Sequence, residues 1–168
     1  MGAAGSTFRQ CDIEIVNECP TYTFVNPRTY IYSGNCATPF PSTIAPGASG
    51  SALFSKYADA ATGCVGLLTY DLLNEDTNQT AEKIAVMFSA PFNFNFYSNL
   101  YAVGVFNLRR ACEVGLYEEM YYGEQTTFRR RIPDGSSLCY VGDHITIMAT
   151  MSDSYQPVIK MQVSQNKK

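Results

Sequence analysis

Tyr117, Tyr121 and Tyr122 crowd into one short run, YEEMYY, and upstream of it SAPFNFNFY (89–97) alternates phenylalanine with asparagine behind a stiffening proline. Residues of these types can hold a half-wet ligand. Aromatic faces attract a quaternary ammonium lying within about 6 Å of a ring centroid. The hydroxyls of Ser89, Tyr97, Tyr117, Tyr121 and Tyr122 can donate to a phosphate beside it, and Pro91 lowers the entropy of the loop that carries the first cluster. A sugar stacks on aromatic rings as readily, so residue types alone leave a choline group and a glycan both open.

Arginines flank these tyrosines as Arg109-Arg110 and Arg129-Arg130-Arg131. A guanidinium is a planar fork that grips phosphate with two hydrogen bonds, which suits a membrane headgroup or a phosphorylated ligand. Catalysis finds no comparable inventory. The lone His144 lies in VGDHITI, where strand alternation assigns it a surface or satisfied core place. Cys139 and His144 on one strand would stand about 16 Å apart, too far for a dyad. Glu118 and Glu119 are neighbours on a helical stretch and diverge by about 100°, so they cannot work as a carboxylate pair. No nucleotide-binding or nucleophile-elbow motif is present. The reading is a binding protein, with no catalytic residue and no cofactor.

Composition narrows the partners. Charged residues make up 16%, well under the usual quarter, while Tyr reaches 12 and Phe 10 with no Trp. Tyrosine has an apolar body and a polar tip, so this excess suits either a β-rich core or a half-wet binding surface. A net charge of −3 argues against a dedicated nucleic-acid binder. The six cysteines include no CxxC pair and are joined by one histidine, which excludes the common structural zinc sets. No apolar run of membrane-spanning length occurs. MGAAGSTFRQ shows neither the charged nor the apolar region of a signal peptide. The expectation is therefore a soluble protein, cytoplasmic or exported by a route not visible here, with most thiols reduced.

Short β-rich runs must position these side chains. Ile13 and Ile15 alternate with charged neighbours, and YTFVNPRTYIY (22–32) is a second run, broken at Pro27. GCVGLLTYDLL (63–73), KIAVMFSAP (83–91) and LYAVGVFNL (100–108) follow between turn-forming clusters. Ile145, Ile147, Ala149 and Met151 then alternate again, as do Ile159, Met161 and Val163. Many short strands separated by turns read as a sandwich or barrel. The exception is Ala111–Tyr122, where Cys112, Leu116 and Met120 recur at helical spacing with Tyr117 and Tyr121 beside them, up to a stop at Gly123. The expected architecture is mainly β, a β-sandwich flanked by one or two short helices. Residues 1–10 are a short disordered arm and 11–164 a single domain.

IAVMFSAPFNFNFYSN followed by RRACEVGLYEEMYYG resembles the actinoporins, the sea-anemone cytolysins and their actinoporin-like relatives, whose VMFSVP(F/Y)DYNWYSNWW precedes RRADQ-MYE-LYY. YIYSGN (30–35) is similar to their YFRSG and ATGCVG (61–66) to ATG-V. The resemblance implies a sandwich that binds sphingomyelin through a phosphocholine pocket, then inserts an N-terminal amphipathic helix and self-associates into pores. Carried over by position, it assigns the headgroup pocket to Ser33, Val65, Ser89, Pro91, Tyr97, Tyr117, Tyr121 and Tyr122. It assigns membrane-interface contact to Phe94, Phe96, Leu100 and Tyr101, the last three standing where the family carries tryptophans. Arg109 and Arg110 are the candidate phosphate contacts.

The chain departs from the pattern in three places, the first being GEQTTFRRR (123–131) where the family carries an RGD-bearing segment after the helix. Without tryptophan anchors the bilayer affinity is expected to be lower or differently tuned. Residues 1–10 lack an apolar face, and a helix needs about 20 residues to cross the hydrocarbon, so binding is expected and pore formation doubted. A pore-forming cytolysin with an unusual N-terminus and a glycan-binding lectin are the competing readings.

Overall fold

A computed structural model of the chain describes residues 9–56, 63–91 and 98–167. In chain order the elements are β1 (Gln10–Glu18), β2 (Tyr22–Ser33), β3 (Asn35–Thr38), β4 (Thr43–Ile44), β5 (Ser49–Ser55), β6 (Cys64–Asn74), β7 (Gln79–Ala90) and β8 (Leu100–Asn107). Then come the helix α1 (Val114–Tyr122), β9 (Phe128–Arg131), β10 (Leu138–Val141), β11 (Ile145–Met151) and β12 (Val158–Gln165). The strands form two sheets, in the orders β10-β11-β12-β1-β5-β3 and β4-β2-β6-β7-β8-β9.

Alternation explains the first sheet. Ile13 and Ile15 of β1, Ile145 and Ile147 of β11, and Ile159 and Met161 of β12 are all buried, while most residues between them meet solvent. One face therefore packs inward and the other stays wet. The first and last strands pair in parallel, Ile13 opposite Ile159. From the second sheet, Leu68, Ile84, Val86 and Phe88 meet this face, with Phe54 and Phe88 rings 4.6 Å apart.

The second sheet differs because it is covered on both sides. Cys64 through Tyr70 and Lys83 through Ala90 are buried without interruption, as expected of strands with no wet face. The outer cover is α1. Leu116, Tyr117 and Met120 pack on Leu67, Met87, Ala102 and Phe128 in a second core. A nine-residue helix is too short to persist alone. Burying Leu116 and Met120, about 1.5–3 kcal/mol each, holds it in place.

The fold corrects several local readings. Pro27 does not break β2: the strand runs on through a bulge between Val25 and Arg28, with Asn26 at φ 54°. A bulge tolerates a residue that has no N–H to donate. The helix begins at Val114 rather than Ala111, leaving Cys112 in the turn before it. Gly123 ends it at φ −77°, so handedness is not the reason for glycine. A Cβ there would lie 2.6 Å from the Glu119 carbonyl oxygen. Cys139 and His144 are not on one strand; a turn divides β10 from β11, Cys139 pairs opposite Met148, and His144 contacts Glu82 at 3.2 Å. FRRR, read as a basic cluster, is the edge strand β9, and a charged edge discourages pairing with another chain.

Candidate functional site

Strand register sets the floor of the site. Ser33 pairs opposite Val65, Val65 opposite Ser89, and Ser89 opposite Leu100. Directly paired residues point to the same face, so four residues from four strands form one row on the outer face of the second sheet. A bulge makes this possible. Between Ile31 and Ser33 the register slips, setting Tyr32 and Ser33 together against Val65. Ile31 packs inward on the main core, while Tyr30 packs outward on the helix-covered one. Gly34 follows at φ +93°, where a Cβ would lie 2.5 Å from the Ser55 carbonyl oxygen, so the strand turns only on glycine. The Ser33 hydroxyl donates to the Gly63 carbonyl at 3.3 Å.

Above this row stands a tier of tyrosines. Tyr117 is central and buried, with the rings of Tyr32, Tyr121 and Tyr30 at 5.3, 5.8 and 6.0 Å. Tyr121 leads on to Tyr122 at 4.5 Å. Burial holds the Tyr117 hydroxyl well above the usual phenol range, with the surrounding tyrosines adding to the effect. It is a donor at physiological pH. Tyr30 and Tyr32 were missed by residue type alone, since alternation around an unseen bulge does not reveal which face they take.

The helix carrying these rings is held from its C-terminal end. The Arg130 guanidinium donates to the carbonyls of Met120 and Gly123 at 2.9 and 3.1 Å. These groups lie at a helix end, which leaves carbonyls without helical partners. Pro91 is anchored differently: its carbonyl accepts from Arg9 Nε at 2.8 Å, and Arg9 is buried with its guanidinium 4.1 Å from the Tyr155 ring centroid.

Not every expected residue joins the row. Phe94, Phe96 and Tyr97 lie outside the described residues. Leu100 is half-buried at the end of the row, but Tyr101 is fully buried, its hydroxyl 3.4 Å from the Ala149 carbonyl. Neighbours on a strand face opposite ways, so Tyr101 belongs to the inter-sheet core and not to a membrane-facing surface. Arg109 and Arg110 follow the far end of β8, about 23 Å from Leu100 along the strand. Arg110 pairs with Glu119 at 2.6 Å, and position 119 lies about 160° around the helix from 117 and 121. It faces a separate cleft of about 610 Å³ bordered by Glu82, Tyr140 and Asp143. The phosphate contacts expected from Arg109 and Arg110 are therefore not brought to the tyrosines. Among the described residues no set of His, Cys, Asp and Glu gathers as a metal site.

This geometry belongs to a wider group. A solved structure of the lipid binding protein Nakanori superposes at TM-score 0.70, covering 96% of this chain and 74% of that one at 13% identity, a likeness of fold. Cytolysin tenebrosin-B of Actinia tenebrosa is 31% identical over 96% of this chain and 72% of its own length. DELTA-actitoxin-Aeq1b of Actinia equina is 36% identical over 71% of this chain, a match spanning only about half, 53%, of that toxin. The family model for sea anemone cytotoxic protein matches residues 1–165. The chain therefore belongs to the sea anemone cytotoxic protein family, the actinoporins.

Proposed function

We propose that this chain docks on membrane surfaces by recognising phosphocholine headgroups of the sphingomyelin type in the cup between the Ser33–Val65–Ser89 row and the tyrosine tier. The observation that carries this reading is the series of rings Tyr32, Tyr117, Tyr121 and Tyr122, exposed at both ends and packed on the same sheet face as Val65 and Leu100. No member of row or tier carries a formal charge, and Arg110 is spent on Glu119. A neutral site with ring faces and exposed tyrosine hydroxyls suits a zwitterion better than an anion, because the ammonium meets the rings and the phosphate meets the hydroxyls of Tyr32 or Tyr122. Family membership supports the membrane as the setting. No helix among the described residues is long and apolar enough to cross a membrane, so the proposal concerns docking and its test reads binding.

Flotation with vesicles that contain or lack sphingomyelin tests the reading. Co-flotation is expected with sphingomyelin vesicles and to be competed by soluble phosphocholine. Equal flotation with both compositions, untouched by phosphocholine, would overturn it.

A further inference from the structure

The exposed rings of the tier are not distributed evenly. Tyr117 spends its ring on packing and is only 6% exposed, whereas Tyr32 is 63% exposed at one end and Tyr122 75% at the other. Tyr32 is the more constrained of the two. It sits in a bulge between Ile31 and Ser33, and one face of its ring stacks on Tyr117 at 5.3 Å with 21° between the planes. An aromatic side chain held by its backbone on one side and a stacked neighbour on the other offers its remaining face in one orientation. Tyr32 itself adjoins Ser33 in the chain, within the bulge set opposite Val65, and its ring is largely open to solvent.

We propose that Tyr32 is a specificity-determining residue of the cup, whose free ring face selects a methylated ammonium over a primary one. The inference rests on the headgroup reading above and assigns the selection to a residue outside the eight first matched to the pocket. A primary ammonium is compact and strongly hydrated, and it keeps its water unless hydrogen-bond acceptors replace it. Three methyl groups spread the same charge over an apolar surface, which loses little by leaving water and gains the attraction of the ring. Tyr32 supplies a face and no carboxylate, so it rewards the first cation and not the second.

Calorimetric titration with phosphocholine and phosphoethanolamine tests this on the intact chain. The unmodified protein is expected to favour phosphocholine. Tyr32→Ala should weaken phosphocholine about two- to fivefold, the size of an exposed cation–π contact, and leave phosphoethanolamine unchanged. Tyr32→Phe keeps the face and should restore the preference. Tyr32→Leu keeps apolar bulk without a ring and should fail as alanine does, which separates recognition from support of the fold. A preference unchanged in both Tyr32→Ala and Tyr32→Leu would overturn this inference while leaving the cup intact. So would a loss in Tyr32→Phe equal to that in Tyr32→Ala, which would mean the hydroxyl acts. Absence of phosphocholine binding by the unmodified protein would remove the cup and the inference together.

Discussion

Arg9 and Pro91 are 82 residues apart in sequence, yet the Arg9 Nε donates to the Pro91 carbonyl at 2.8 Å. The contact ties the start of β1 to the end of β7, where the proline of the proposed cup follows Ser89. Arg9 also accepts at its own carbonyl from the Lys56 backbone N–H at 3.0 Å, so the chain before β1 is fixed from two directions. Arg9→Ala is expected to destabilise the fold by about 1.5–3 kcal/mol, the range for a hydrogen bond from a charged group. It should also weaken vesicle flotation at temperatures where the fold is intact. A urea midpoint equal to that of the unmodified protein would refute the structural part.

Arg130 is expected to matter through α1 rather than through direct charge attraction to phosphate. Its guanidinium occupies the carbonyls of Met120 and Gly123. Arg130→Ala should cost about 1–3 kcal/mol by leaving those carbonyls without their donor. Arg130→Lys should recover only part, since one ammonium cannot match a planar fork. Denaturation curves for both variants check this, and full rescue by lysine would contradict it.

Tyr121 stands between Tyr117 and Tyr122 in the tier. Tyr121→Ala should weaken phosphocholine or vesicle binding by about 0.5–2 kcal/mol, with circular dichroism unchanged. Undiminished affinity in the folded variant would remove Tyr121 from the site.

Tyr101 gives the opposite pattern. It is fully buried between the sheets, so Tyr101→Ala should lower stability by about 3–5 kcal/mol, as large aromatic-to-alanine changes do in cores. Leu100→Ala should alter stability less and vesicle binding more. Comparing unfolding midpoints and flotation for the two variants tests the division, and a Tyr101→Ala protein of normal stability would refute it.

Alkaline pH should unfold the protein through its buried acids. Burial pushes the Cys64 thiol from 9.0 up to about 12 against a backbone hydrogen bond at Cys11, and it pushes Cys19 to about 12 with Glu18 adding to the effect. Burial likewise raises Tyr70 and Tyr117. Above its ordinary value each group ionises in the unfolded chain while the fold keeps it neutral. The unfolded state then binds fewer protons, so stability falls as pH rises. It should be whole below about pH 9 and decline between 9 and 12. Urea midpoints of reduced protein at neutral and alkaline pH measure this, and a flat profile would contradict it.

What the chain alone determined was local. Period-two alternation marked β1, β11 and β12, and unbroken apolar runs marked β6, β7 and β8, because side-chain facing along a strand needs only the order of residues. Leu116 and Met120 announced a helix with one apolar face for the same reason. The short strands β3, β4, β9 and β10 carried too few residues for any period to show. Everything that depends on which residue lies opposite which was left to the tertiary structure. The slip between Ile31 and Ser33 sets Tyr32 on the cup side. Which sheet face is covered by the other sheet decides that Tyr101 is buried in the inter-sheet core while Leu100 lies on the helix side, and the turn beyond β8 sends Arg110 to Glu119. A bulge of one residue turns every following side chain to the other face. A guanidinium chooses among carbonyls brought near it from distant parts of the chain. Neither event leaves a periodic trace in the sequence, and together they decide which tyrosines and arginines meet.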